Sequence, residues 1–244
     1  MDPRLSIINE RLKNIERIIA VGSGKGGVGK SIISTTLALL LSKNNKLTGL
    51  FDLDFQGPTC HLILGAKDEF PTEEKGIKPP QINSVYFMSI YYFTRDNPLP
   101  LRGWEVTNLF RELLAITRWD NIEYLIIDMP PGVGDEVLEL LKLINKKEIL
   151  IVTTPSILSL NTVDKLVKLL KNLNIPIIGI LENMRVQPSD IVKKYALENK
   201  INYLGYIPFD YSIEKYIGEI NLFMKTKFVS NLEKILHEKI LFKK

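Results

Sequence analysis

The sequence predicts an α/β protein with a doubly wound, mostly parallel sheet flanked by helices, and three observations carry that expectation. Short apolar, β-branched runs alternate along the chain with stretches of helical period. Within those stretches apolar residues recur at three- and four-residue steps, as in Leu160, Val163, Leu166, Val167 and Leu170. A glycine-rich turn joins one such run, ending Ile19-Ala20-Val21, to a helical segment, so strand, turn and helix follow directly.

Taken in order, a leading helix is expected over Leu5–Ile15 and the first strand over Arg17–Val21. The helix Lys30–Lys43 and the strand Lys46–Phe51 follow. The stretch Lys67–Asn83 is rich in proline and charge and reads as a surface excursion before the strand Val85–Ser89. The helix Trp104–Thr117, the strand Tyr124–Asp128, the helix Glu136–Leu143 and the strand Glu148–Val152 continue the alternation. The helix Ser159–Leu173 and the strands Pro176–Leu181 and Tyr203–Tyr206 complete it, and an amphipathic helix is expected over residues 229–242. No repeat or low-complexity tract interrupts the pattern, so residues 1–244 are expected to form a single domain.

Composition excludes several classes. With 45% apolar and 25% charged residues in a chain of 244, disorder, collagen and coiled coil are ruled out. The single cysteine, Cys60, rules out an internal disulfide framework. No apolar run approaches the roughly 18 residues of a membrane span, and the first 17 residues are charged throughout, so a cytoplasmic protein is expected. A net charge of +4 without a basic stripe makes nucleic acid an unexpected partner.

Residues Gly24–Ser31, GKGGVGKS, form a complete G-x-x-x-x-G-K-S between strand and helix. Glycines let successive backbone N–H groups turn toward an anion, and the helix start adds its positive end. Gly24, Lys25, Gly26, Gly27, Val28, Gly29, Lys30, Ser31 and Ile32 are therefore the expected phosphate-binding segment, with Lys30 on the β- and γ-phosphates and the Ser31 hydroxyl on Mg²⁺. Such a site needs a carboxylate at a neighbouring strand end, and Tyr124-Leu125-Ile126-Ile127-Asp128 supplies one in a Walker B pattern. The loop from Met129 to Asp135 could sense the γ-phosphate, with Asp135 a candidate helix cap. Asp52 and Asp54, at i and i+2 of another strand end, point the same way. Asp54 is the candidate to orient or deprotonate the attacking water, and Asp52 to support the metal. Glu182-Asn183-Met184-Arg185-Val186 has Asn but no Asp of an Asn-Lys-x-Asp guanine reader, which favours ATP. Asn183 and the loop Ile207-Pro208-Phe209-Asp210, with Pro208 and Asp210, are the candidate base contacts.

Ser23–Ser31 resembles the deviant Walker A of the MinD/ParA (SIMIBI) P-loop ATPases, and the chain as a whole is most similar to the Mrp/ApbC branch of iron–sulfur cluster carrier ATPases. The likeness runs through Asp52-Leu53-Asp54, Gly57-Pro58, Met88-Ser89-Ile90, Arg102-Gly103, Trp119, Asp128–Gly132, Gly134-Asp135, Thr153-Thr154-Pro155, Glu182-Asn183-Met184, Gly205 and Ile207-Pro208, roughly residues 10–220. The resemblance implies a homodimer with two ATP at its interface, Lys25 reaching the partner's nucleotide, slow hydrolysis, and iron–sulfur client or scaffold proteins as partners. It also implies a bridging [4Fe–4S] cluster held by a Cys-x-x-Cys pair after the Glu-Asn-Met segment. Here residues 185–203 contain no cysteine, and Cys60 would give two thiolates per dimer where a cubane takes four. Cys60 is expected to be a small buried residue instead. Ile32 stands where the family commonly has Thr, and Trp104 where it commonly has Pro.

The alternative function is a MinD/ParA-like positioning ATPase acting on a membrane, DNA or a protein. Val229, Leu232, Ile235, Leu236 and Ile240 fall on one face of the last helix, among Lys234, Lys239, Lys243 and Lys244. Packing of that face on the core is the simpler reading, so a membrane partner is not expected. His61 and His237 are isolated and are not assigned to a metal.

Overall fold

The computed structural model describes residues 2–95 and 103–237. Helix α1 (Arg4–Leu12) precedes β1 (Arg17–Ser23), and the glycine turn then leads into α2 (Lys30–Lys43). β2 (Thr48–Asp52) is followed by the short helix α3 (Cys60–Leu64). The charged excursion folds into a small hairpin, β3 (Thr72–Glu73) with β4 (Ile77–Lys78), and then β5 (Gln81–Ile82) turns back beside β6 (Val85–Ser89). α4 (Tyr91–Thr94), α5 (Gly103–Ile116), β7 (Tyr124–Asp128), α6 (Asp135–Leu143), β8 (Glu148–Thr153) and α7 (Ile157–Asn172) continue the alternation. The described chain closes with β9 (Ile177–Arg185), α8 (Ile191–Glu198), β10 (Tyr203–Pro208), α9 (Ile213–Tyr216), α10 (Ile220–Phe223) and α11 (Lys227–Leu236).

Eight strands make one sheet in the order β10-β9-β8-β1-β7-β2-β6-β5, parallel throughout except for the β5–β6 edge. From β1 the chain crosses to β2 on one side, and after β7 it crosses back over β1 to β8. That reversal opens a crevice at the carboxyl ends of the strands beside β1, which is where open α/β sheets bind ligands.

Helices cover both faces. Ile8 and Leu12 of α1, Phe110 and Leu113 of α5, Leu140 of α6, Val163 of α7 and Val192 of α8 pack on one face. Ile33, Leu37 and Leu40 of α2, Leu64 of α3, and Phe228 and Leu232 of α11 pack on the other. α2 is apolar nearly all round (Leu37-Ala38-Leu39-Leu40-Leu41), as a helix enclosed between a sheet and other helices must be. Each such Leu or Ile contributes about 1.5–3 kcal/mol when fully buried.

Several boundaries differ from the expectations. The leading helix stops at Leu12, and Ile15, expected at its last turn, is instead a buried residue of the turn into β1. β2 starts at Thr48, because Lys46 and Leu47 turn outward to meet Glu123. β9 runs four residues past the expected Leu181, to Arg185. Its polar end stays in the sheet because β8 and β10 both continue beside it. The final helix starts at Lys227, where the Thr226 hydroxyl accepts from Val229 N at 3.3 Å. Its apolar residues Val229, Leu232 and Leu236 are buried in the core. The expected extension of this helix to residue 242, with Lys239, Ile240, Lys243 and Lys244, lies outside the described residues, as does Arg102. Among the described residues no helix is long and apolar enough to cross a membrane.

Candidate active site

The glycine turn forms because β1 ends at the switch point and α2 begins at once. Gly29 has φ +84°, a left-handed conformation that a side chain resists. A Cβ there would also lie 2.3 Å from the Asn183 amide nitrogen. Gly24 passes so close to α7 that a Cβ would meet Thr162 backbone at 2.5 Å. The turn is thus wedged between α7 on one side and β9 on the other, and Asn183 Nδ2 braces it by donating to Val28 O at 2.9 Å.

At the start of α2, charged groups converge. Lys30 Nζ donates to Asp128 Oδ2 at 2.8 Å and lies 3.5 Å from Asp54 Oδ2. The Ser31 and Ser34 hydroxyls donate to the two oxygens of Asp128, each at 2.6 Å. Asp52 accepts from Asp54 N and Cys60 N, both at 3.2 Å. β2 and β7 pair in register, Asp52 opposite Asp128, so the sheet itself sets these two carboxylates side by side.

Electrostatics follow from that crowding. Burial works against the Lys30 charge, yet Asp128 and Asp54 outweigh it and hold the ammonium above its ordinary pKa. Burial, reinforced by Asp128, pushes Asp52 up to about 8. Burial also raises Asp54, with Lys30 opposing the shift. Three buried carboxylates share one buried lysine, and Asp52 has no cation bonded to it among the described residues. A hard divalent cation is the group this donor set lacks, and the Ser31 hydroxyl with the Asp52 and Asp128 carboxylates offers the oxygen ligands Mg²⁺ takes.

In front of this cluster lies a cavity of about 510 Å³. Lys25, Gly26, Gly27, Gly29, Lys30, Ser31, Ile32, Asp54, Asn183, Pro208 and Asp210 line it. Gly24 and Val28 do not, since Gly24 packs on α7 and the Val28 side chain is in the core. Lys25 stands half-buried at the mouth and makes no ion pair among the described residues. Asp210 spends its carboxylate on Ser212 N at 2.9 Å, Ser212 Oγ at 2.6 Å and Phe228 N at 3.2 Å, which pins the loop after β10 to α11. Its acid form is disfavoured by those donors, although burial opposes them. Asp135 is the first residue of α6 and makes no capping bond there, so its expected role as a cap does not hold.

Phe209 of the expected base-contact loop lines the cavity. Sequence reasoning missed the residues that continue this wall, Tyr211, Ile213, Glu214, Ile217 and Phe228, and the Tyr211 ring, 85% exposed, stands edge-on to Phe209 at 4.7 Å. Only the approach of α9 and α11 to the loop after β10 makes these residues a wall. The buried Glu182, held by Arg185 at 2.6 Å and Tyr203 at 2.9 Å, was also missed as a support at the end of β9.

An iron–sulfur cluster does not fit this chain's own donors. Cys60 is fully buried beneath the phosphate turn, where burial and then Asp52 and Asp128 push its thiol well above the usual range. It reaches no surface from which a cluster could bridge two protomers.

The fold and cavity have known counterparts. A crystal structure described as a nucleotide-binding protein in complex with ADP from Archaeoglobus fulgidus superposes with TM-score 0.78 at 28% identity, covering 93% of this chain and 95% of that one. The cell-division ATPase MinD of Pyrococcus furiosus has the same fold, with TM-score 0.69 at 22% identity over 92% of this chain and 98% of that one. Among curated proteins, an iron-sulfur cluster carrier protein of Rickettsia felis is 41% identical over 174 residues, 71% of this chain and 55% of its own. One from Saccharolobus solfataricus is 36% identical over 223 residues, 84% of this chain and 75% of its own. A cytosolic Fe-S cluster assembly factor, Nubp2 homolog 2 of Drosophila yakuba, is 41% identical over 71% of this chain and 70% of its own. The chain spans about half the length of the Rickettsia relatives it matches. The profile of the ParA family described as NUBPL iron-transfer P-loop NTPase matches residues 14–241. With a complete phosphate loop, a doubly wound sheet and that match over nearly its whole length, the chain belongs to the ParA/NUBPL family of iron-transfer P-loop NTPases.

Proposed function

We propose that residues 1–244 form a single Mg²⁺-dependent ATPase domain that works as a homodimer in iron–sulfur cluster assembly without holding a cluster through its own cysteine. The observation that carries the nucleotide reading is the meeting of Lys30, Ser31, Asp52, Asp54 and Asp128 at the floor of the glycine-lined cavity. The backbone of Gly26 to Ser31 would cradle the phosphates, and Lys30 would leave Asp128 for the β- and γ-phosphates. Ser31, Asp52 and Asp128 would hold Mg²⁺, in part through water, and the metal would neutralise charge on the phosphate oxygens when bound. Asp54, beside Lys30 at the cavity wall, would orient the attacking water. Lys25, at the mouth, would meet the partner's nucleotide. Pro208, the free side of the Asn183 amide and the loop at Asp210 would border adenine. Any cluster would be cargo, passed between client or scaffold proteins.

A positioning role on a membrane is less favoured, because α11 has already spent its apolar face on the core. The test is phosphate release from ATP by the purified chain with Mg²⁺ and with EDTA. Magnesium-dependent turnover supports the reading, and its absence together with no ATP binding rejects it. Asp54→Ala should still bind ATP but release phosphate roughly a hundredfold or more slowly; unchanged turnover would remove Asp54 from the mechanism.

A further inference from the structure

Cys60 lies against the carboxylates at the foot of the glycine turn. Its Sγ lies 3.6 Å from Asp128 Oδ2, and the ligand atoms of Asp52, Cys60 and Asp128 all fall within 4.8 Å of one another. All three residues are fully buried. The Thr35 hydroxyl, equally buried, faces the thiol and bonds no other group among the described residues. Among the described residues Asp52 has only backbone N–H donors and no bonded cation.

We propose that Cys60 makes the metal position of this site a mixed oxygen–sulfur site, able to hold a thiophilic divalent ion such as Co²⁺ or Zn²⁺ through Asp52, Asp128 and the Cys60 thiolate. The proposal rests on the nucleotide-site reading above for the Mg²⁺ role of Asp52 and Asp128. The geometry admits it. An ion about 2.1 Å from a carboxylate oxygen and about 2.3 Å from sulfur bridges a gap of that width at an angle of roughly 110°, close to tetrahedral. Mg²⁺ takes oxygen ligands in octahedral geometry and would leave the sulfur unused. A softer ion gains a thiolate bond and discriminates against Mg²⁺. Binding releases one proton: the Cys60 S–H bond breaks, the sulfur–metal bond forms, the proton leaves to solvent and no electron is transferred. The burial that disfavours a free thiolate disfavours it only while no cation is beside it.

The experiment titrates Co²⁺ into the purified chain, following sulfur-to-cobalt charge transfer in the near ultraviolet, with Mg²⁺-ADP binding measured in parallel. Cys60 is the only cysteine in the chain, so any such band reports on it. A band that saturates at one Co²⁺ per chain and persists in excess Mg²⁺ is expected. Cys60→Ser should lose the band and weaken Co²⁺ on the order of tenfold, with Mg²⁺-ADP binding and far-ultraviolet circular dichroism unchanged. Asp128→Asn should diminish the band even if Cys60→Ser does not fold. No band in the wild-type chain overturns the proposal, and so does a band undiminished in Asp128→Asn. Mg²⁺-ADP binding without a band refutes this inference alone. A band without nucleotide binding refutes the nucleotide reading and leaves the metal position standing.

Discussion

At the phosphate end of the cavity the functional side chains stand at strand tips or just beyond them, or in the first turn of α2, whereas the base end is made of loops after β10 closed by α9 and α11. The first region is buried and charged. Lys30 is 6% exposed and Asp128 not at all, and the bonds that Lys30, Ser31 and Ser34 make to Asp128 join residues more than 90 positions apart. The second is open and aromatic, with Tyr211 projecting into solvent beside Phe209. Chemistry in water requires the first arrangement, since a lysine and carboxylates act strongly only where solvent is excluded. Recognition of a flat base tolerates the second, since stacking needs area more than fixed charge.

Substitutions at the two ends should separate turnover from binding. Lys30→Ala removes the buried ammonium at the phosphate end, and turnover should fall about 10²–10³-fold in a phosphate-release assay. A variant with normal turnover would dissolve the distinction between the ends. Gly29→Ala tests whether the turn is as rigid as its packing implies. The left-handed residue costs a side chain about 1–2 kcal/mol, and the Asn183 amide must also move. A melting midpoint lower by roughly 2–8 °C is expected, with weaker ATP binding; an unchanged midpoint would mean that the turn yields easily. At the base end, Tyr211→Ala should raise KM on the order of tenfold and leave kcat and the melting midpoint alone. A fall in kcat would show that this loop takes part in closure of the site.

The smallest effect lies away from both ends. Lys147 is buried just before β8, bonded to Ile144 O at the end of α6, and burial lowers it to about 8. Its folded pKa is below its unfolded one, so the folded state binds fewer protons between about pH 8 and 10.5. Stability should therefore rise with pH across that window. Lys147→Met should flatten that rise in urea midpoints measured from pH 7 to 10.5 while turnover at neutral pH is unchanged. A persistent rise would assign it to another group.

Much of the phosphate end was legible in the chain. The G-x-x-x-x-G-K-S spacing and the strand ending in Asp128 identify residues that the sheet then brings within hydrogen-bond distance. Periodicity located most helices and strands, because apolar residues must face a core whatever their partners are. It failed at β9, where Glu182, Asn183 and Arg185 interrupt the apolar run. Their polarity is satisfied by one another, by Tyr203 and by the glycine turn, none of which is near them in sequence except within the strand. Asp210, a candidate base contact, lines the cavity and also clasps Ser212 and Phe228, which its sequence position does not reveal.

Local sequence by itself determined where the phosphate turn lies, which residues begin α2, which strands end in carboxylates, and that one cysteine is too few for a cubane. These depend on spacing along the backbone, and backbone geometry is the same in any fold that contains them. Only the tertiary structure decided that Cys60 lies against Asp128, that Asp52 has no cation bonded to it among the described residues, and that Tyr211 stands at the cavity wall beside Phe209. Those facts come from packing α3 under the turn and α9 and α11 against β10. Burial then changes the proton affinity of each group in a way no sequence position carries.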